Sequence, residues 1–407
     1  MILPVNEKFT HCGSSNVERV IREIVAVVAK VVSHTLQADD FHSLVLIGGY
    51  GRGEGGVRFV HGSEAPNNNL DFLLITQKRN PALRQIWQQQ IDQQLESIQD
   101  HYGIGLDLSM ISGSALQRSP SRIMWYDMRC GHKTILGDPD FVSSMTHFKI
   151  DRIPSWDAHN LLVNRGTLLM INHCLPADDD SRQTNQLRIR HQVKAIIGYG
   201  DAILYTYGKY HWSYEEKQRR MKRLFQIDSS FRDLYDQAMK YRFRPTNNAM
   251  HEMLSSSTRV SKQCEKIHLE FESRRLGIRF TDWSNYLELA LRAGSREDTK
   301  SFLGLMRSLR TITRHRSERL GRSWPARIGQ RLLTSQRELG LVFPAAMYPN
   351  CSPEFQAKAS RLLNAEGSHP QQLQRAFLST WGTTVDQNFS RFLSRYNISL
   401  VPVEPAL

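Results

Sequence analysis

No apolar stretch in these 407 residues is long enough to cross a bilayer; the longest, Ile24 to Val32, has nine residues with Lys30 among them. The opening MILPVNEKFTHCG lacks the basic start, apolar run and small-residue cleavage site of a signal peptide, so no secretory leader is expected. Cysteine is sparse and odd in number: Cys12, Cys130, Cys174, Cys264 and Cys351 are widely scattered. Free thiols in a reducing cytoplasm suit that pattern better than a disulfide framework. Cys130 and His132 stand too isolated for a zinc site built from paired ligands. There is no repeat of 20–50 residues, no low-complexity tract, no G-x-x-x-x-G-K-[ST] loop and no G-x-G-x-x-G turn with its downstream acid.

What is present is charge, unevenly placed. The net charge is +13, yet residues 1–150 carry 14 Lys+Arg against 15 Asp+Glu, leaving 39 against 25 for the remainder. The distal part is therefore either suited to an acidic partner such as nucleotide phosphate or RNA, or simply a solvated basic surface. Nine arginines fall between Leu305 and Glu338: Arg307, Arg310, Arg314, Arg316, Arg319, Arg322, Arg327, Arg331 and Arg337. This 305–338 segment is a candidate RNA or tRNA surface, but it carries no recognisable RNA-binding signature, and a solvated face or a protein contact is the commoner explanation.

The periodicity divides the chain. SSNVERVIREIVAVVAKVVSHTL has helical spacing from about Val17, behind serines able to cap it. SLVLIGG and LDFLLIT read as short buried strands, NPALRQIWQQQIDQQLESIQDHY as a helix, and IGLDLSMIS as an alternating strand with Asp107 on its polar side. WYDMRCGHKTILGDPD returns a strand to the sheet edge. Beyond residue 150 the helical period dominates, and Ser213 with Glu216 three places on is a reciprocal helix cap. The fold class expected is α+β: a small mixed-sheet core over 1–150, a helical domain over 151–296 and a basic helical subdomain over 297–407. The aromatics of YTYGKYHWSYEEKQRR either stack a base or, more commonly, fill a corner between helices.

The chemistry concentrates in LIGGYGRGEGGVRFVHGSEAPNNNLDFLLIT. A strand ending in Gly48-Gly49 lets backbone approach a ligand closely, and a following helix would offer free N–H groups to phosphate. Asn69 and Asp71 alternate on a strand and so project from one face, where Asp107 can join them. Oxygen ligands so grouped suit Mg²⁺.

The turn Gly-Gly-Tyr-Gly-Arg-Gly-Glu, followed by an alternating polar pair at the head of an apolar strand, resembles the nucleotidyltransferase superfamily that includes DNA polymerase β. The heptapeptide is similar to that of the nitrogen-signalling uridylyltransferases, whereas a short α/β domain followed by helices looks like kanamycin nucleotidyltransferase and the minimal nucleotidyltransferases. The resemblance covers roughly residues 15–150, with weaker echoes to about residue 225. It implies transfer of a nucleoside monophosphate from an NTP to a hydroxyl of a small molecule or protein, with two Mg²⁺ ions (or Mn²⁺). Gly48 and Gly49 match the pair that positions the triphosphate, with Arg52 and Glu54 beside them. Asn69 and Asp71 match the two alternating metal-binding acids, and Asp107 matches the third, which helps activate the acceptor. A helical lysine over the site contacts the triphosphate in related enzymes; Lys194 is the candidate here, with Arg190 as neighbour, and Asn164 and Arg165 lie on the preceding helix. Lys194, Asp201 and Tyr205 share one helical face.

Asn69 departs from the family pattern. A carboxamide offers an oxygen but no charge to draw Mg²⁺, so transfer by this chain is expected to be impaired. Three explanations stand open: an Asp→Asn change made to trap a complex, a natural non-catalytic nucleotide sensor or scaffold, or a misalignment in which Glu54 or Glu64 supplies the second acid. RNA or tRNA modification is a further alternative, motivated by the distal charge. The chain contains no His-Asp dipeptide, the usual mark of a metal-hydrolase half that would reverse uridylylation.

Overall fold

In the computed structural model, which describes residues 7–60, 62–78, 80–175, 181–246, 257–298, 336–385 and 389–395, the chain is α+β, with its sheets in the N-terminal part and helices dominating the rest. Helix α1 (Ser15–Thr35) forms because its apolar residues recur along one stripe, and Val17, Ile21, Ile24, Val25, Val28, Val31 and Val32 are all buried. Strands β1 (Phe41–Ile47), β4 (Leu70–Thr76), β5 (Leu106–Ser112) and β6 (Lys133–Gly137) make one sheet in the order β5-β4-β1-β6. The β1 strand runs antiparallel to β4 and β6, and β4 runs parallel to β5 through the crossover helix α3 (Pro81–Tyr102). That helix starts on Asn80, whose side chain accepts from Ala82 N and Leu83 N, and stops at Gly103 in the left-handed region.

Alternation sorts each strand between two faces. Leu44 and Leu46 of β1, Leu70, Phe72 and Leu74 of β4, and Leu106 and Leu108 of β5 join α1 and the buried side of α3 (Trp87, Ile91, Leu95) in one core. Val45, Leu73 and Ile75 face the other way, onto Leu116, Met128, Val142, Met145 and Phe148. Leu116 and Met128 belong to the short helices α4 (Gly113–Gln117) and α5 (Ile123–Cys130). Between β1 and β4 the chain makes a single helical turn, α2 (Gly48–Gly51), and then a hairpin, β2 (Val57–Val60) with β3 (Ser63–Pro66). The glycine pair thus opens a single helical turn, too short to accumulate a useful dipole.

The chain separates into two units that cut it differently from divisions at residues 150 and 296. Residues 1–157 group with 207–255, and 158–206 group with 256–407. Residues 207–255 join the first unit because polar ties hold them there. Helix α8 (Tyr214–Lys222), after α6 and α7 described below, begins on Ser213, whose Oγ accepts from Glu216 N (3.1 Å) and donates to Glu54 Oε1 (2.6 Å). The reciprocal half of the cap is absent: the Glu216 carboxylate accepts instead from Arg219 and Arg220, which hold its pKa down at about 2. Helix α9 (Ser229–Phe243) follows, and just beyond it Arg244 donates to Glu64 Oε1 (2.7 Å) and to the carbonyl of Cys12 (2.7 Å).

The second unit is helical. It is made from α6 (Ser155–Cys174, from Ala158 onward), α7 (Arg182–Thr206), α10 (Ser257–Leu276), α11 (Tyr286–Asp298), α12 (Gln336–Met347), α13 (Pro353–Leu363), α14 (Pro370–Thr384) and α15 (Phe389–Arg395). Its core is rich in rings: Trp283 stacks on Tyr348, and Tyr348 shares a 2.7 Å hydrogen bond with Tyr199. Among the described residues no helix is long and apolar enough to cross a membrane.

Candidate functional site

The C-terminal end of β1 delivers Gly48 with φ +68°, a conformation glycine adopts without cost. A Cβ there would stand 2.6 Å from Asp71 Oδ2, so the Asp71 carboxylate lies directly against the turn. The parallel pairing places Asp71 in register with Asp107, and in-register neighbours present their side chains on the same face. That face is the one opposite α1 and α3, since Leu70, Phe72, Leu106 and Leu108 point into the α1–α3 core. Asn69, two residues before Asp71, shares the face, and its Nδ2 donates to Asp107 Oδ2 at 2.8 Å. Asn69 and Asp107 are exposed and Asp71 is half-buried, so the group opens to solvent at one corner of the sheet.

Asn69, rather than Glu54 or Glu64, is therefore the side chain beside Asp107. The Glu54 carboxylate is buried and accepts from Ser213 Oγ, Tyr214 N (2.7 Å) and Glu215 N (3.3 Å) at the start of α8. Glu64 accepts from Ser14 N (2.6 Å) and Arg244, and the Ser14 N–H chiefly holds its carboxyl below the usual range. Tyr50 positions the first two of the three asparagines before β4. Its buried phenol donates to Gly56 O (2.8 Å) and accepts from Asn67 N (3.0 Å) and Asn68 N (3.3 Å). Burial pushes that phenol up to about 12, so it stays a neutral strut.

Arg52 lies on the same turn but is committed inside the protein. It donates to Asp127 Oδ2 (2.7 Å), and Tyr210 OH donates to the same carboxylate. Its guanidinium also lies 4.5 Å from the Tyr214 ring centroid, as does Lys217 Nζ, whose side chain is fully buried. Tyr210 and Tyr214 of the aromatic segment thus pack around these buried cations within the first unit.

Sequence spacing did not single out Arg242, on the last turn of α9. Its Cζ lies 3.9 Å from the Tyr214 ring centroid, and a Cβ on Gly49 would stand 2.8 Å from its Nη2. The guanidinium therefore abuts the glycine pair, while its buried Nε–H donates to no acceptor within the protein. Among the described residues no carboxylate within ion-pair reach of Arg242 is found. A cation fixed by ring stacking at a glycine turn, with donors to spare, is chemically suited to an anion.

Lys194 and Arg190 project from α7 in the second unit, and both are exposed, whereas Asp201 is buried. Asn164 accepts from Trp381 Nε1 (3.3 Å), and Arg165 lies over Gly198. Most of the arginine-rich 305–338 segment, residues 305–335, lies outside the described residues. No protein-family model matches the chain, and no curated protein matches its sequence.

Proposed function

We propose that the first unit binds a nucleoside triphosphate at the Gly48–Gly49 turn and that the chain is a nucleotidyltransferase-type protein of the cytoplasm, held back by Asn69. The observation that carries this reading is the in-register pair Asp71–Asp107, with the Asp71 carboxylate against the positive-φ Gly48. Its donor set, two carboxylates and a carboxamide oxygen, fits a hard divalent cation such as Mg²⁺ or Mn²⁺. Asp71 and Asp107 would hold it, with Asn69 Oδ1 after its amide turns away from Asp107. When bound, such an ion neutralises charge on the transferring phosphate and its leaving group.

The chain's own residues account for the rest. Gly48 and Gly49 let the Asp71 carboxylate and the Arg242 guanidinium come up against the backbone of the turn, and Arg242 would donate to phosphate oxygens from beside Gly49. The exposed Asp107 carboxylate accepts the proton of an incoming hydroxyl, on a small molecule or a protein. The Asn69 amide donates to one oxygen of that base.

This last contact favours a second reading, a nucleotide sensor or scaffold without turnover. The two separate on one experiment: α-phosphate labelling and pyrophosphate release with each of the four NTPs, in Mg²⁺ or Mn²⁺, with host-cell extract as acceptor. The chain is compared with Asn69→Asp. Labelling that rises at least about tenfold in the Asp form supports a transferase restrained at one ligand. Nucleotide binding without labelling in either form transfers the argument to the sensor. Failure of both forms to bind any NTP rejects both readings. An RNA or tRNA acceptor rests on distal charge alone, and binding to RNA that vanishes as salt is raised is its own test.

A further inference from the structure

The second unit contains a polar cluster that the nucleotide reading does not use. His268 and Glu272 stand one turn apart on α10, and His159 faces them from α6. All three are buried, with exposures of 0%, 0% and 1%. One ligand-type atom from each lies within 4.8 Å of the others, and His159 Nε2 is 3.6 Å from Glu272 Oε1. Aromatic rings pack around the group: Phe271 stacks parallel to His159, and Trp283 and Phe343 approach His268.

We propose that His159, His268 and Glu272 bind one zinc-like divalent transition-metal ion in the core of the helical unit. Two imidazoles and one carboxylate, brought by facing helices to a single point, are the donor set and architecture that such ions take in helical cores. The supporting groups are arranged as a metal ligand needs. His268 Nδ1 meets Tyr348 OH at 3.1 Å, and Tyr348 in turn meets Tyr199 OH. With Nδ1–H donating along that chain, the Nε2 lone pair is directed inward, and Nε2 is buried with no hydrogen-bond partner. Glu272 is oriented by Arg275, through Nε and Nη2, and by Tyr286 OH (3.1 Å). His159 is held by the backbone of α12, where a Cβ on Gly340 would stand 2.5 Å from its Cε1.

The donor types select the ion. Magnesium and calcium want oxygens throughout, whereas two imidazole nitrogens favour zinc and its first-row neighbours. Arg275 already offsets the Glu272 charge, and three protein ligands would leave the fourth position of a tetrahedral ion to a water or hydroxide. The competing description is a metal-free network in which a protonated His159 pairs with Glu272.

The test uses the full chain without a metal-binding tag. Its zinc content is measured as purified, then after chelator stripping and re-titration with Zn²⁺ against a chromophoric competitor. About one tightly held Zn²⁺ per chain is expected. Both His159→Gln and His268→Gln should weaken it by more than about a hundredfold, beyond the range seen for supporting residues. Added Zn²⁺ should raise the thermal midpoint of the stripped parent but not of either variant. If neither variant folds, the Co²⁺-loaded parent decides. Tetrahedral d–d bands without thiolate charge transfer support the His₂Glu site. Absence of bands, a thiolate band, or unchanged stoichiometry in folded variants overturns it. Binding of NTP plays no part in any of these readouts.

Discussion

Asp71 stands in register with Asp107 across the parallel β4–β5 pair, and its Oδ2 lies 2.6 Å from where a Gly48 side chain would begin. The two carboxylates and the turn are thus one geometric object. Strand pairing fixes the acids relative to each other, and the missing Cβ fixes the turn against them. Gly48→Ala tests that coupling, because φ +68° costs a non-glycine residue about 1–2 kcal/mol and the methyl must displace Asp71. We expect a fall of a few degrees in the thermal midpoint, together with loss of Mn²⁺-dependent nucleotide binding of at least about tenfold. Calorimetric titration of folded protein checks it; unchanged affinity would detach the turn from the site.

Arg242 provides a second test. Stacked on Tyr214 and against Gly49, it is placed to donate to phosphate with little side-chain entropy left to lose. Arg242→Ala should weaken NTP binding by about tenfold to a hundredfold, in keeping with a charge-assisted contact of roughly 1.5–3 kcal/mol. Arg242→Lys keeps the charge but not the planar stack and should recover only part. A fluorescent-nucleotide titration at two ionic strengths distinguishes the variants, and equal affinity in all three proteins would remove Arg242 from the site.

Glu54 should behave oppositely. Its carboxylate caps α8 through Ser213 and two backbone N–H groups, so Glu54→Gln, which cannot accept at every oxygen, should cost about 1–3 kcal/mol of stability. Nucleotide affinity should hold. Urea unfolding beside NTP titration measures both, and a variant with intact stability but poorer binding would return Glu54 to the nucleotide.

These contrasts show what local pattern conveys. Asp71 and Asp107 are legible because strand alternation announces which residues share a face, and Asn69 falls two places from Asp71. The sheet is legible for the same reason, and the α1 stripe because its apolar residues recur at the helical period. The β2–β3 hairpin carries no such signal, being short, with only Val57 and Pro66 buried. The placement of Arg242 and the contact of Glu54 with the start of α8 depend on segments far apart in the chain, which no local period encodes. The Ser213 cap was half legible: Ser213 accepts from Glu216 N as its position requires, but two nearby arginines outcompete the reciprocal contact. In α10 the spacing of His268 and Glu272 is visible, whereas the partner His159 arrives from α6.

His191 of α7 gives a prediction that is independent of any ligand. Its Nδ1 lies 2.7 Å from Asn172 Oδ1, and burial, reinforced by Lys194 and Arg190, lowers its pKa to about 3. An unfolded histidine titrates near 6.5, so between these values the unfolded chain binds the extra proton and the folded chain does not. The contribution is therefore fully present above pH 6.5 and declines as pH falls toward 3, by about 2 kcal/mol at pH 5. His191→Gln has no group to titrate there and can still donate an amide hydrogen to Asn172. The test is the difference in unfolding free energy between parent and variant, measured by urea denaturation at pH 7.5 and pH 5. Relative to the parent, the variant should gain about 2 kcal/mol on going to the lower pH. Parallel pH dependence in the two proteins would mean that His191 is charged, or solvated, in the folded state.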